Sequence, residues 1–379
     1  MNIERADTDQ NNRTAREWEK TVNDAAVRAA EKHIPLNGAF ELTARCNLRC
    51  KMCYVRLDGD QICSIGKELT AQEWISLAEE ALKAGMLNLL LTGGEPLLRP
   101  DFPEIYSALS QMGFVITLFT NGTLISPELL KLLKKYPPTA TSVTLYGANP
   151  HTYEKICGSA DAFANALSGL EKLSQVPTEL EVSATLIRDN SNELDEIRAI
   201  AHRFTKQFSV NTMILKPVRG AKADVDGCRL TPAQAAKVAM TCKALNNVRE
   251  GTEEDIAGKM LPLSPDRKGY DIYPEILPCR AAKSDFYITW DGKMLPCASF
   301  ASPFALPVQD GFLTAWNRLP ALFEKISKPS ECVKCEFNGN GCPNCPAFLQ
   351  SETGCYDKIA DYLCSYMREM MRNNLPDIE

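Results

Sequence analysis

Short apolar runs rich in β-branched residues alternate along this chain with longer segments of helical period. The runs Ala39–Thr43, Leu87–Thr92, Val115–Thr120, Ser142–Tyr146, Leu180–Ile187 and Val210–Leu215 predict six strands. Helical patterns begin near Thr70, Pro103, Ser126, Ala160, Ser191 and Thr231, and residues 13 to 32 read as a charged amphipathic helix. Thr70 before Gln72-Glu73, and a Pro placed directly after Ser126 and Thr231, are helix-start signals. Such alternation predicts an α/β fold, a partial parallel (β/α)6 barrel with crossover helices. Chemistry in such sheets gathers at the C-terminal strand ends.

The pattern then breaks. Gly220, Asp224, Asp226, Gly227, Gly251, Pro262, Pro265 and Gly269 punctuate the next stretch, which reads as a linker with one helix. Asp285–Trp290, Asp291-Gly292 and Lys293–Pro296 spell a β-hairpin, since Asp-Gly favours a primed two-residue turn. The tail is loop-rich and dense in cysteine. The expected division is a helical extension at 1–37, a core at 38–220, a linker at 221–274 and a cysteine-rich domain at 275–379.

Composition narrows the class. Lys+Arg 42 against Asp+Glu 48 gives a net charge of −6 with no basic stripe, so nucleic acid is not expected as a partner. No apolar run reaches the length of a membrane span. The N-terminal residues lack the basic-then-apolar pattern of a signal peptide. Fifteen cysteines in such a chain point to a reducing, cytoplasmic setting and to metal ligation, not disulfides.

The cysteines fall in clusters. Cys46, Cys50 and Cys53 follow the first strand with C-x3-C-x2-C spacing. Three thiolates can hold three irons of a 4Fe–4S cubane and leave the fourth open for chemistry. Zinc is the competing reading, but structural zinc takes four ligands, and no fourth lies nearby in sequence. The second strand ends in Gly93-Gly94-Glu95-Pro96, where glycines permit close backbone approach and Glu95 offers a carboxylate to an ammonium group. The third ends in Asn121-Gly122. Cys279 and Cys297 straddle the hairpin, Cys332-x2-Cys335-x6-Cys342-x2-Cys345 follows, and Cys355 and Cys364 close the series. Alone, the paired C-x2-C units also read as zinc.

Residues 38 to 217 together resemble the radical S-adenosylmethionine (SAM) superfamily. The resemblance implies a 4Fe–4S cluster on Cys46, Cys50 and Cys53, with SAM chelating its open iron. It also implies Tyr54 beside the adenine, and Gly93, Gly94, Glu95 and Pro96 at the methionine ammonium. Thr144 would donate a hydroxyl to SAM. By their places at strand ends, Asn121 could reach a ribose or simply cap the helix at Ser126, and Lys216 could bind SAM or substrate or only neutralise its acidic surroundings. Where many relatives carry an acid and a later Arg, this chain has Tyr146 and Cys157, leaving Lys155 as a substitute. Cys157 itself reads as a buried small hydrophobe.

The tail resembles the SPASM extension of peptide-modifying radical SAM enzymes. That implies two auxiliary 4Fe–4S clusters, one on Cys332, Cys335, Cys342 and Cys364 and a nearer one on Cys279, Cys297 and Cys345. The nearer would keep an open iron or be closed by Cys355 or Asp271. The implied protein is a radical SAM oxidoreductase with three clusters, acting on a peptide or small protein. Thioether formation in a ribosomally made peptide is the first reading. Formylglycine formation in a sulfatase and small-molecule dehydrogenation are the alternatives, and a non-catalytic zinc scaffold is the reading from another class. A flavodoxin- or ferredoxin-type donor would supply electrons. Leader binding would need the linker or a separate protein.

Overall fold

The computed structural model describes residue 21 and residues 24–250, 279–338, 342 and 345–372. Six strands, β1 (Asn37–Glu41), β2 (Asn88–Thr92), β3 (Val115–Thr120), β4 (Ala140–Leu145), β5 (Glu179–Thr185) and β6 (Gln207–Asn211), pair in parallel and in sequence order. Their starts lie within about three residues of the apolar runs, because the pattern marks burial while the ladder marks hydrogen bonding.

Two more strands extend this sheet. β7 (Asp285–Ile288) pairs parallel to β1, and β8 (Met294–Leu295) pairs antiparallel to β7, giving the order β6-β5-β4-β3-β2-β1-β7-β8. The hairpin therefore covers the edge of β1 that would otherwise be open. Its turn differs from the expected two-residue form. The Gly292 N–H donates to the Thr289 carbonyl, the Thr289 N–H to the Lys293 carbonyl, and Gly292 has φ +83°. That is a three-residue loop with glycine in the left-handed position.

Side chains alternate across each strand. Leu89, Leu91, Ile116, Leu118, Val143 and Leu145 are buried against the helices, with Trp74, Leu77, Ile105 and Leu109 in the same core. The helix Ala71–Lys83 starts with a reciprocal cap: Thr70 Oγ1 accepts from the Glu73 N–H, and Glu73 accepts from the Thr70 N–H. The β4–β5 crossover holds two helices, Pro150–Cys157 and Asp161–Leu173, where one was expected from Ala160. Cys63 lies exposed on a short helix, Gly59–Ile65, and Cys228 lies buried on a one-turn helix, Val225–Cys228. The helix containing Cys242 is present. His33 is half-buried, its ring stacked 4.4 Å from Trp316. Among the described residues no helix is long and apolar enough to cross a membrane.

Candidate active site

The three N-terminal cysteines occupy the loop leaving β1 at the C-terminal rim of the sheet. Backbone bonds fix this loop. Arg49 N–H donates to the Cys157 carbonyl (2.8 Å) and Lys51 N–H to that of Ile156 (3.0 Å), so the end of the helix Pro150–Cys157 brackets Cys50. Cys46 Sγ accepts from the Leu48 N–H at 3.4 Å and from Asn121 Nδ2 at 3.8 Å, and Cys53 Sγ accepts from the Arg56 N–H at 3.2 Å. The Cys50 thiol lies against Cys157 and the Tyr146 hydroxyl. Burial pushes the Cys46 thiol up to about 12 and raises Cys53. At Cys50 the Cys157 thiol is the larger cause of an upward shift, with burial second. These groups stay protonated until a cation compensates them, which suits thiolates meant for metal.

The Gly93-Gly94-Glu95 segment runs directly against the entry to this loop. Gly94 N–H donates to the Thr43 carbonyl and Glu95 N–H to that of Arg45. A Cβ on Gly94 would sit 2.3 Å from the Arg45 carbonyl oxygen, and one on Gly93 2.7 Å from that of Thr43. What the glycines let in closely is thus the cysteine loop's own backbone. Glu95 is fully buried; its carboxylate accepts from the Leu97 N–H (3.1 Å), the Thr120 hydroxyl (2.8 Å) and the Asn121 N–H (2.8 Å). Burial outweighs these donors and raises the carboxyl to about 7.

The sheet face opposite the helices is mostly polar. Thr92, Thr117, Thr144, Ser183, Thr185 and Ser209 are part-exposed or exposed there, alongside Leu90 and the 43% exposed Phe119. The Thr144 and Ser183 hydroxyls meet at 3.1 Å across paired strands. Phe40 packs on Trp74, at 4.9 Å between rings, which turns the next residue, Glu41, to the polar face. There Glu41 Oε2 accepts from Arg219 Nη2 (2.5 Å) and the Tyr287 hydroxyl (2.6 Å). Tyr54, 43% exposed, lies with its ring 5.9 Å from the Arg219 guanidinium.

Glu41, Arg219 and Tyr287 had no place in the sequence reading; one acid inside an apolar strand was the available signal. Cys157, expected as an inert hydrophobe, is 1% exposed and lies beside Cys50. Lys216 lies beyond β6, with its Nζ on Asp226 at 2.7 Å. Lys155 and Lys51 share Asp189, at 2.7 and 2.8 Å.

The C-terminal cysteines gather in two groups. Cys297 feels the charges of Cys345 and Cys279, in a setting where burial raises its thiol to about 12. Cys332 feels Cys364, Cys342 and Cys335. Cys355 lies after the helix Pro346–Thr353, its N–H donating to the Thr353 hydroxyl. Asp271 lies outside the described residues. Among the described residues no three His, Cys, Asp or Glu side chains converge to hold a single ion. Each cysteine of a cubane binds its own iron, so its ligands need not converge on one point. Part-buried sulfurs receiving N–H donors fit such a cluster.

Residues 40–201 match the Radical SAM superfamily. The AdoMet-dependent heme synthase of Methanosarcina barkeri is 27% identical over 86% of this chain and 95% of its own length. The PqqA peptide cyclase of Bradyrhizobium diazoefficiens is 29% identical over 43% of this chain and 42% of its own. Among solved structures, Streptococcus suis SuiB bound to its precursor peptide SuiA has a TM-score of 0.66 at 19% identity, covering 90% of this chain and 79% of that one. Native anSMEcpe with bound AdoMet has 0.65 at 16%, covering 89% and 96%. The family implies a 4Fe–4S cluster and SAM. The chain carries a radical SAM domain over residues 40–201 and is an enzyme.

Proposed function

We propose that this enzyme modifies a peptide or small protein, forming a thioether or another side-chain cross-link in a ribosomally made peptide. Cys46, Cys50 and Cys53 would hold the SAM-binding 4Fe–4S cluster. Cys332, Cys335, Cys342 and Cys364 would hold one auxiliary cluster, and Cys279, Cys297 and Cys345 a nearer one. When bound, cluster and SAM supply a 5′-deoxyadenosyl radical that takes a substrate hydrogen.

The chain's own residues bind and orient. The backbone of Gly93-Gly94, Glu95 and Pro96 would meet the methionine ammonium group. Glu95 is rigid there because three donors hold it. Asn121 and Thr144 would offer hydrogen bonds to the rest of SAM, and Tyr54 an aromatic face to its adenine. A flavodoxin- or ferredoxin-type protein would reduce the cluster, and a cytoplasmic setting would keep fifteen thiols reduced.

The observation that carries the substrate class is the hydroxyl-lined inner face of the sheet. A peptide backbone brings a donor and an acceptor at every residue and needs such partners. A second reading, a haem precursor, is favoured by the nearly full-length likeness to the M. barkeri heme synthase.

The test is anaerobic reconstitution with iron and sulfide, followed by SAM and a strong reductant. Brown protein that yields 5′-deoxyadenosine, and a Cys46/Cys50/Cys53→Ala variant that keeps only auxiliary signals, support the assignment. Colourless zinc protein, or SAM cleavage surviving in the triple variant, would sink it. A cysteine-rich precursor peptide losing two hydrogens, against an iron porphyrin turned over instead, separates the two substrates.

A further inference from the structure

One guanidinium joins the two cysteine regions. Arg219 Nη2 grips Glu41 on β1, the strand that feeds the Cys46–Cys53 loop. Its Nη1 donates to the Ala298 carbonyl and, at 3.5 Å, to that of Phe300, immediately after Cys297. Its plane lies 5.3 Å from the ring of Tyr287 on β7 and 5.9 Å from that of Tyr54, which follows Cys53. The Arg219 and Glu41 side chains are 12% and 1% exposed. Two charges withdrawn from water recover little net stability from their attraction. They do impose directional geometry, since a planar guanidinium fixes several acceptors at once.

We propose that Arg219 is a positioning residue that sets the Cys297 segment in register with the Cys46–Cys53 loop, holding the nearer auxiliary cluster in place relative to the SAM-binding one. This rests on the reading that Cys279, Cys297 and Cys345 hold a cluster. The partnership fits the role. Glu41 approaches from the N-terminal strand and the two carbonyls from the C-terminal segment, 79 and 81 residues beyond Arg219. The Tyr287 hydroxyl on β7 also donates to the Glu41 carboxylate, so both the hairpin and the segment after it are referred to β1 through one polar knot.

The experiment uses the full chain, reconstituted anaerobically in the Cys46/Cys50/Cys53→Ala background, so that electron paramagnetic resonance reports only the auxiliary sites. A Cys297→Ala control identifies the signal of the nearer set. Arg219→Met is expected to shift or abolish that same signal and leave that of the Cys332 set unchanged, and Arg219→Lys to restore it partly. Because Arg219→Met leaves the buried Glu41 carboxylate without its counter-charge, Glu41→Gln/Arg219→Met is measured too. Neutralising both should recover the melting temperature but not the signal. A nearer-set signal unchanged in Arg219→Met, or restored together with melting in the double variant, would overturn the proposal. Parent protein without iron on Cys279, Cys297 and Cys345 would overturn the underlying reading, and the proposal with it.

Discussion

Glu95→Gln tests the site's electrostatics without changing its shape. Glu95 is fully buried and accepts from two N–H groups and one hydroxyl. Burial holds its carboxyl at about 7, against 4.5 in an unfolded chain. An acid raised on folding is more stably protonated in the native state. Its contribution is full below pH 4.5 and is lost as pH rises through 7. The 2.5-unit difference corresponds to about 3 kcal/mol.

Glutamine behaves as a permanently neutral carboxyl, but its amide sets one donor against a donor. At pH 4.5 the wild type should be the more stable by about 1–3 kcal/mol. From there to pH 8 that gap should shrink by about 3 kcal/mol, because only the wild type loses stability by ionising. Anaerobic urea unfolding of both proteins across this range gives the difference directly. SAM affinity should run the other way, rising through pH 7 in the wild type and staying flat in the variant, since only the carboxylate attracts an ammonium. A stability gap that does not change with pH would refute the reasoning.

Other outcomes follow from single contacts. Gly94→Ala puts a Cβ against the Arg45 carbonyl, so it should cost about 1–3 kcal/mol in urea unfolding. It should also lower iron incorporation, because the strained segment is the one that shapes the cysteine loop. Tyr146→Phe removes the hydroxyl that meets Cys50, and the SAM-cluster midpoint potential should fall in a redox titration followed by electron paramagnetic resonance. Arg229 bonds Glu352 at 2.6 and 3.0 Å, both side chains nearly buried, so Arg229→Met should destabilise by about 3–5 kcal/mol. Arg229→Met/Glu352→Leu should recover most of that loss.

What could be read from the sequence was local. Cys46, Cys50 and Cys53 lie within eight residues and announce their chemistry by spacing alone. The six strands could be read because one face of each is apolar with period two. The helix Pro150–Cys157 was passed over although Asn149, Pro150 and a left-handed Gly158 mark both its ends; a predicted helix start at Ala160 masked it. The pairing of β7 with β1 could not be read, since a parallel partner nearly 250 residues away leaves no local signal. Arg219 and Glu41 are 178 residues apart and meet only because β1 ends where the chain beyond β6 returns. Lys216 looked equally suited to the pocket, and Asp226, ten residues on, claims it.

The incomplete barrel explains why polar residues can line its interior. Eight strands closed into a barrel pack the inside with branched side chains and leave no room. Here the parallel strands run open from β6 to β7, and Thr117, Thr144 and Ser183 on the inner face remain within reach of water. Hydroxyls there incur little desolvation cost and stay available to a ligand. The cost concentrates at the rim, where Glu41 and Glu95 are fully buried. Each is met by donors from other segments: Arg219 and Tyr287 for one, Thr120 and Asn121 for the other. A buried acid without such partners would be selected against, since it would neutralise or unfold its surroundings. Both acids therefore mark where distant segments must be held to a fixed geometry, beside the loop that carries Cys46, Cys50 and Cys53.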